Sequence, residues 1–167
     1  MEKEFTMKNC CMLLMMGFMT GCSMWILQQP PNFTELETYY RNLDFQKACP
    51  LALKQAPQRE AGTLIILYEC LQKAPETVGV PKNNDYSIRI LKELVDREEA
   101  MVFSELGHVY HSGIMGVQKN MEVANCWSDL NGHEENIAQC VAISPELSGL
   151  KYIEFIVDKN GEGVEIK

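Results

Sequence analysis

Positive charge is scarce in this sequence: 15 Lys and Arg stand against 23 Asp and Glu, for a formal net charge of -8. That balance repels phosphate backbones and anionic lipid headgroups, so nucleic acid is not an expected partner. The short motifs of common catalytic centres are also missing. There is no Gly-x-Ser-x-Gly, no phosphate-binding loop and no dinucleotide fingerprint. Length is limited too, since 167 residues with 46% hydrophobic composition supply one compact core and not two. Metal ligands are few. His108 and His111 stand three apart, and His133-Glu134-Glu135 lies further on, but zinc needs three or four convergent ligands and nothing brings the second group to the first. Neighbouring carboxylates such as Glu98-Glu99 and Glu134-Glu135 diverge on a helix and read as helix-start charges. No cofactor, metal or catalytic residue is expected, and the chain is not read as an enzyme.

What is present begins at the amino end. Residues 9–27 carry no charged side chain and include Met12, Leu13, Leu14, Met15, Met16, Phe18 and Met19. Such a run is an export signal or a membrane anchor. Glu2 and Glu4 offset Lys3 and Lys8, and a start at Met7 would leave the basic-then-apolar order of a signal. The run ends in Met19-Thr20-Gly21-Cys22, which resembles the lipobox of bacterial lipoproteins. The resemblance implies a signal peptide over 1–21, lipid attachment at Cys22 and a tether over 22–33. Ser23 after the cysteine implies an outer-membrane lipoprotein facing the periplasm. An uncleaved membrane helix is the alternative, because about 20 apolar residues cross a bilayer.

Two stretches of the remaining chain can be laid over each other. Glu60-Ala61 matches Glu99-Ala100, and Leu67 matches Leu106, at an offset of 39. Gly79-Val80 matches Gly116-Val117, Lys82-Asn83 matches Lys119-Asn120, and Asp85 matches Glu122, at an offset of 37. A period in this range signals stacked helical repeats. The second copy runs Ala100, Leu106, Gly107, Tyr110, Gly113, Gly116, Val117, Ala124 and Trp127 to Gly132. It is similar to the Sel-one-like repeat, a relative of the tetratricopeptide repeat. In the first copy Tyr68 stands where that family has Gly, Ser87 where it has Ala and Ile90 where it has Trp. Physically, small Ala100, Gly107 and Ala124 let two helices cross closely. Tyr110 and Trp127 fill the space between repeats, and Gly113 and Gly116 supply positive φ in the connection.

The resemblance implies a mainly α fold, a short solenoid of antiparallel helix pairs over 34–150, with helices at 34–55, 59–73, 84–96, 99–112, 120–131 and 134–143. Pro50 is expected to divide the first region, with Asp44 capping its second helix. Cys49, Cys70, Cys126 and Cys140 lie beyond Cys22, and an even number in an oxidising compartment suggests pairing. In an antiparallel hairpin, facing residues lie equally far from the turn. Cys126 and Cys140 centre on His133, and Cys49 and Cys70 centre between Arg59 and Glu60. Of three connectivities these two pairs fit best, and four buried free thiols are the alternative. After Pro145 the pattern alternates: Tyr152, Glu154, Ile156 and Asp158 against Ile153, Phe155 and Val157, followed by Asn160-Gly161. This predicts a β-hairpin over 151–167 that caps the solenoid end.

A stacked-helix surface binds through a groove rather than a catalytic pocket. Helical phase selects Tyr68, Glu69, Glu105 and His108 as partner-binding residues. The expected function is a lipid-anchored periplasmic protein-binding module. The family resemblance, size and acidity suggest an immunity protein that neutralises a lipase effector of the type VI secretion system. A general envelope adaptor and a hydrolase acting on cell-wall ligands are the alternatives.

Overall fold

The structure is a computed structural model, and it describes residues 34–80, 84–130, 136–161 and 163–167. The signal peptide, Cys22, the tether, Gly132 and His133 lie outside the described residues. No described helix is long and apolar enough to cross a membrane.

The described chain is mainly helical and ends in a two-stranded antiparallel sheet. Thr34 opens the first helix, α1 (Glu35–Arg41), through a reciprocal cap: Glu37 N donates to Thr34 Oγ1 at 3.2 Å, and Thr34 N donates to Glu37 Oε2 at 2.8 Å. Leu43, at φ 58, ends the turn that follows. The helix α2 (Phe45–Gln55) then runs through Pro50. The expected break at Pro50 is therefore corrected to Leu43. Pro50 sits on an exposed face beside exposed Gln46, so solvent reaches the Gln46 carbonyl that proline leaves without an N–H. Asp44 stands at the cap position of α2, but its carboxylate makes no cap hydrogen bond and pairs with Lys47 at 3.1 Å.

A short 3-10 turn (Ala56–Gln58) leads into α3 (Ala61–Lys73), and a second (Pro75–Val78) follows it. Thr63, Leu64, Ile66, Leu67, Tyr68, Cys70 and Leu71 are all buried, so α3 is enclosed on most of its circumference. Then come α4 (Asn84–Val95), α5 (Met101–Ser112) and α6 (Met121–Asp129). Gly113 closes α5 at φ 66. A Cβ there would lie 3.0 Å from Lys119 N, so the close return of the chain also requires glycine. Asn120 opens α6 by accepting from the N–H groups of Glu122 (3.0 Å) and Val123 (3.2 Å).

Two short helices follow, α7 (Ile137–Ala142) and α8 (Pro145–Ser148), the second an addition to the helices expected from the sequence. Each helix packs on the next from α1 to α7, and α7 on α8. The largest buried side chains, Trp127 and Tyr110 among them, form one core with Leu64, Leu67, Leu91, Leu94 and Leu106. Trp127 stacks on Phe103 at 6.1 Å and donates from Nε1 to Ser144 Oγ at 3.0 Å, and Ser144 Oγ donates to the Cys140 carbonyl at 2.6 Å. Gly107 and Ala124 meet where α5 crosses α6, as their size suggests. Ala100 does not take part, because it is exposed at the start of α5.

Cys49 is disulfide-bonded to Cys70, with Cα atoms 5.5 Å apart, and Cys126 to Cys140, with Cα atoms 5.6 Å apart. The first bond ties α2 to α3 and the second ties α6 to α7.

The hairpin consists of β1 (Phe155–Val157) and β2 (Val164–Ile166), with Ile156 opposite Glu165. Its turn is organised by Asp158, whose carboxylate accepts from Asn160 N at 3.1 Å and Gly163 N at 2.9 Å. It does not lie over the last helices as an end cap. Instead Arg59, at φ 56 after the first 3-10 turn, donates from Nη2 to the Ile153 carbonyl at 2.7 Å and stacks on Phe155. The Tyr152 hydroxyl donates to Asp96 at 2.5 Å. Glu93, 2% exposed, is the anchor beneath, bracketed by Arg59 and Arg97. A carboxylate that deep needs both cations to offset its desolvation.

Candidate functional site

On α3, Ile65 and Glu69 are half-buried and Lys73 is exposed; on α5, Glu105 is half-buried and Met101 and His108 are exposed. A recess of about 70 Å³ lies between the two helices. Leu91 and Leu94 of α4 contribute to its lining, Ile65, Met101 and Val102 add further apolar surface, and Tyr68, Glu69 and Glu105 provide its polar groups.

Tyr68 is 5% exposed, which corrects its placement on an outward face. Its ring is packed in the core and its hydroxyl donates to Glu105 Oε1, linking α3 to α5. Burial, and then the hydrogen bond to Glu105, push the Tyr68 phenol far above its ordinary range, so it remains a protonated donor at neutral pH. Glu69 pairs with Lys73 one helical turn along. The Lys73 ammonium also lies 6.0 Å from the Phe45 ring centroid, and its pKa is raised, first by the bond to Glu69. Of the four residues chosen by helical phase, Tyr68, Glu69 and Glu105 thus line one recess. His108 is exposed on the same helix as Glu105 and does not line it.

The structure adds Met101, whose side chain stands at the lip and is 59% exposed. An apolar residue at the first turn of a predicted helix carried no sequence signal of this role. Only the α4 floor beneath makes it part of a concavity. Among the described residues, broader clefts lie elsewhere, one of about 500 Å³ beside Tyr39, Lys47, Lys54 and Val164, another of about 300 Å³ beside Asp85, Gly116 and Glu146. Neither is lined by a buried polar side chain.

His108 and His111 are both exposed. Among the described residues, no group of three or more His, Cys, Asp or Glu is placed to hold a metal ion. No protein-family model, no curated protein and no solved structure matches the chain.

Proposed function

We propose that this chain is a lipid-anchored protein of the bacterial envelope, built of Sel-one-like helix pairs, that binds another protein through the α3–α5 face. The observation that carries the reading is the recess itself: a carboxylate held by a buried phenol, beside an exposed methionine, over an apolar floor. At about 70 Å³ it is well below the roughly 300–1,000 Å³ of small-molecule sites. It suits one side chain of a larger partner rather than a whole substrate. Two disulfides agree with export through the lipobox-like segment ending at Cys22. The acidity of the chain accelerates association with a basic partner at low salt.

The particular role proposed is immunity, in which the bound protein is a lipase effector whose active site or membrane-docking face is covered. Capture from envelope extracts, with wild type and Glu105→Lys side by side, tests this. One stoichiometric partner that is lost with Glu105→Lys supports a specific binding module, and a lipase as that partner supports immunity. A scaffold protein as partner would favour the adaptor. Many partners that ignore the substitution contradict the reading. Intact mass of the membrane-extracted chain checks the anchor: diacylated and N-acylated mass beginning at Cys22 is expected, and an unmodified residue 22 contradicts it.

A further inference from the structure

The recess restricts what can enter it. Ile65, Leu91, Leu94, Met101 and Val102 offer only carbon side chains, and the polar groups are Tyr68, Glu69 and Glu105. The Tyr68 hydroxyl is already donated to Glu105. Since the phenol stays protonated, it does not compete with Glu105 as an anion. Lys73 pairs with Glu69, but its side chain is 55% exposed, and such surface pairs contribute only about 0–1 kcal/mol. Lys73 set against Glu69 and Glu105 leaves one negative charge among the lining of an otherwise apolar slot.

Each class of entering group fares differently there. A carboxylate or phosphate meets like charge. A neutral aliphatic group suits the walls but covers Glu105 without supplying a counter-charge, and covering an unpaired carboxylate is costly. An aliphatic stem ending in a cation satisfies the apolar walls and the carboxylate together. The net charge of -8 favours the same sign of visitor at longer range.

Building on the protein-binding reading above, we infer that the recess receives one basic side chain of the partner, a lysine or an arginine. Its stem lies against Ile65, Leu91, Leu94 and Met101, and its cation meets Glu105. Glu69 and Lys73 form the adjustable side, where the ion pair yields to the incoming charge.

The test titrates the full-length chain, in neutral detergent micelles, with n-butylammonium and n-butylguanidinium chloride, using n-pentanol as the uncharged control. The Met101 methyl resonance is followed. A saturable shift is expected with the cations, with affinity about tenfold weaker for n-pentanol and about tenfold weaker for the cations in Glu105→Gln. The tighter of the two cations identifies lysine or arginine as the visitor. Equal affinity for pentanol and the cations overturns the inference, as does a Glu105→Gln titration that matches wild type, or no saturable Met101 shift. Should Glu105→Gln disturb folding, Glu69→Gln, at the other carboxylate of the lining, is expected to weaken the cations about threefold, and no change there counts against the slot. Failure of the parent reading looks different. Cation binding that survives alongside an empty capture experiment refutes protein binding and leaves the slot's chemistry standing, whereas capture that is indifferent to Glu105→Gln refutes the slot.

Discussion

The α3–α4 and α5–α6 contacts are closed by different chemistry. Where α5 crosses α6, a Cβ on Gly107 would stand 2.2 Å from Ser128 Oγ and 3.2 Å from the Ala124 carbonyl, so the two helices approach closely and leave no room beyond a single Cβ. Trp127, fully buried, then fills the adjoining space and reaches Ser144. In the α3–α4 pair, Tyr68 occupies the position equivalent to Gly107, Ser87 that of Ala124 and Ile90 that of Trp127. A tyrosine forbids the close approach. The crossing is instead bridged by a hydrogen bond from Gln72 Nε2 to fully buried Ser87, and the Tyr68 hydroxyl leaves its own pair to reach Glu105 on α5. One pair is thus sealed by shape and the other by polar links. The recess lies beside the polar one.

The largest test of that contrast is truncation of the equivalent large residues. Trp127→Ala should cost about 4 kcal/mol, because it empties a core site and strands Ser144, while Ile90→Ala should cost about 3 kcal/mol. Urea denaturation reads both, and an Ile90 cost above that of Trp127 would break the comparison. Next come the disulfides, which tie each pair to its outer neighbour. Their loops span 21 and 14 residues, so replacing either pair by alanine should cost about 3 kcal/mol. A chain whose stability is unchanged by reductant would contradict this.

Gly107→Val should destabilise by about 2 kcal/mol through the Ala124 carbonyl. Gly107→Ala should be nearly neutral in the same denaturation series. Ser128 is exposed and its Oγ can rotate away, and alanine regains helix propensity. The smallest effect sharpens the polar side: Tyr68→Phe should cost about 1 kcal/mol, since half-buried Glu105 recovers water when its donor is lost. Alkaline titration extends this. Burial raises Tyr110 to about 12, and Tyr68 is raised by burial together with Glu105. Unfolded phenols ionise near about 10. Both residues therefore contribute stability that is complete below that pH and is lost as pH rises through the folded values. Among the 6 tyrosines, the phenolates of Tyr68 and Tyr110 should appear only as helical circular dichroism collapses, above pH ~10, and Tyr68→Phe should shallow that dependence. All 6 phenolates appearing while the helices persist would contradict the burial of both rings.

Local patterns made much of the fold legible. Gly113 and Gly116 marked the α5–α6 connection because positive φ leaves few choices of residue, and both adopt it. The cysteine pairs could be placed because antiparallel neighbours fix which positions face each other. What stayed hidden depended on distant partners. Arg59 and Glu93 lie 34 residues apart, and no local pattern announces that they meet under the hairpin. The hairpin was foreseen from its alternation, yet its docking site was not, because that site is formed by Arg59, Lys92 and Asp96 rather than by its sequence neighbours. Pro50 misled because the hydrogen bond it removes falls on an exposed face of α2, where water can take its place. For the candidate site, helical phase found Glu69, Glu105 and Tyr68 but turned Tyr68 outward. Phase along one helix does not register that α5 covers the ring and leaves only its hydroxyl to reach Glu105.

Whether the α3–α5 face is occupied by a protein partner in the envelope can be read in intact cells with a photo-crosslinking residue placed at Met101, and with Lys54 in the α2 cleft as the comparison position. One discrete crosslinked species is expected from position 101, weakened by Glu105→Gln and absent from position 54. No crosslink at 101, or the same species from both positions, would contradict that occupancy.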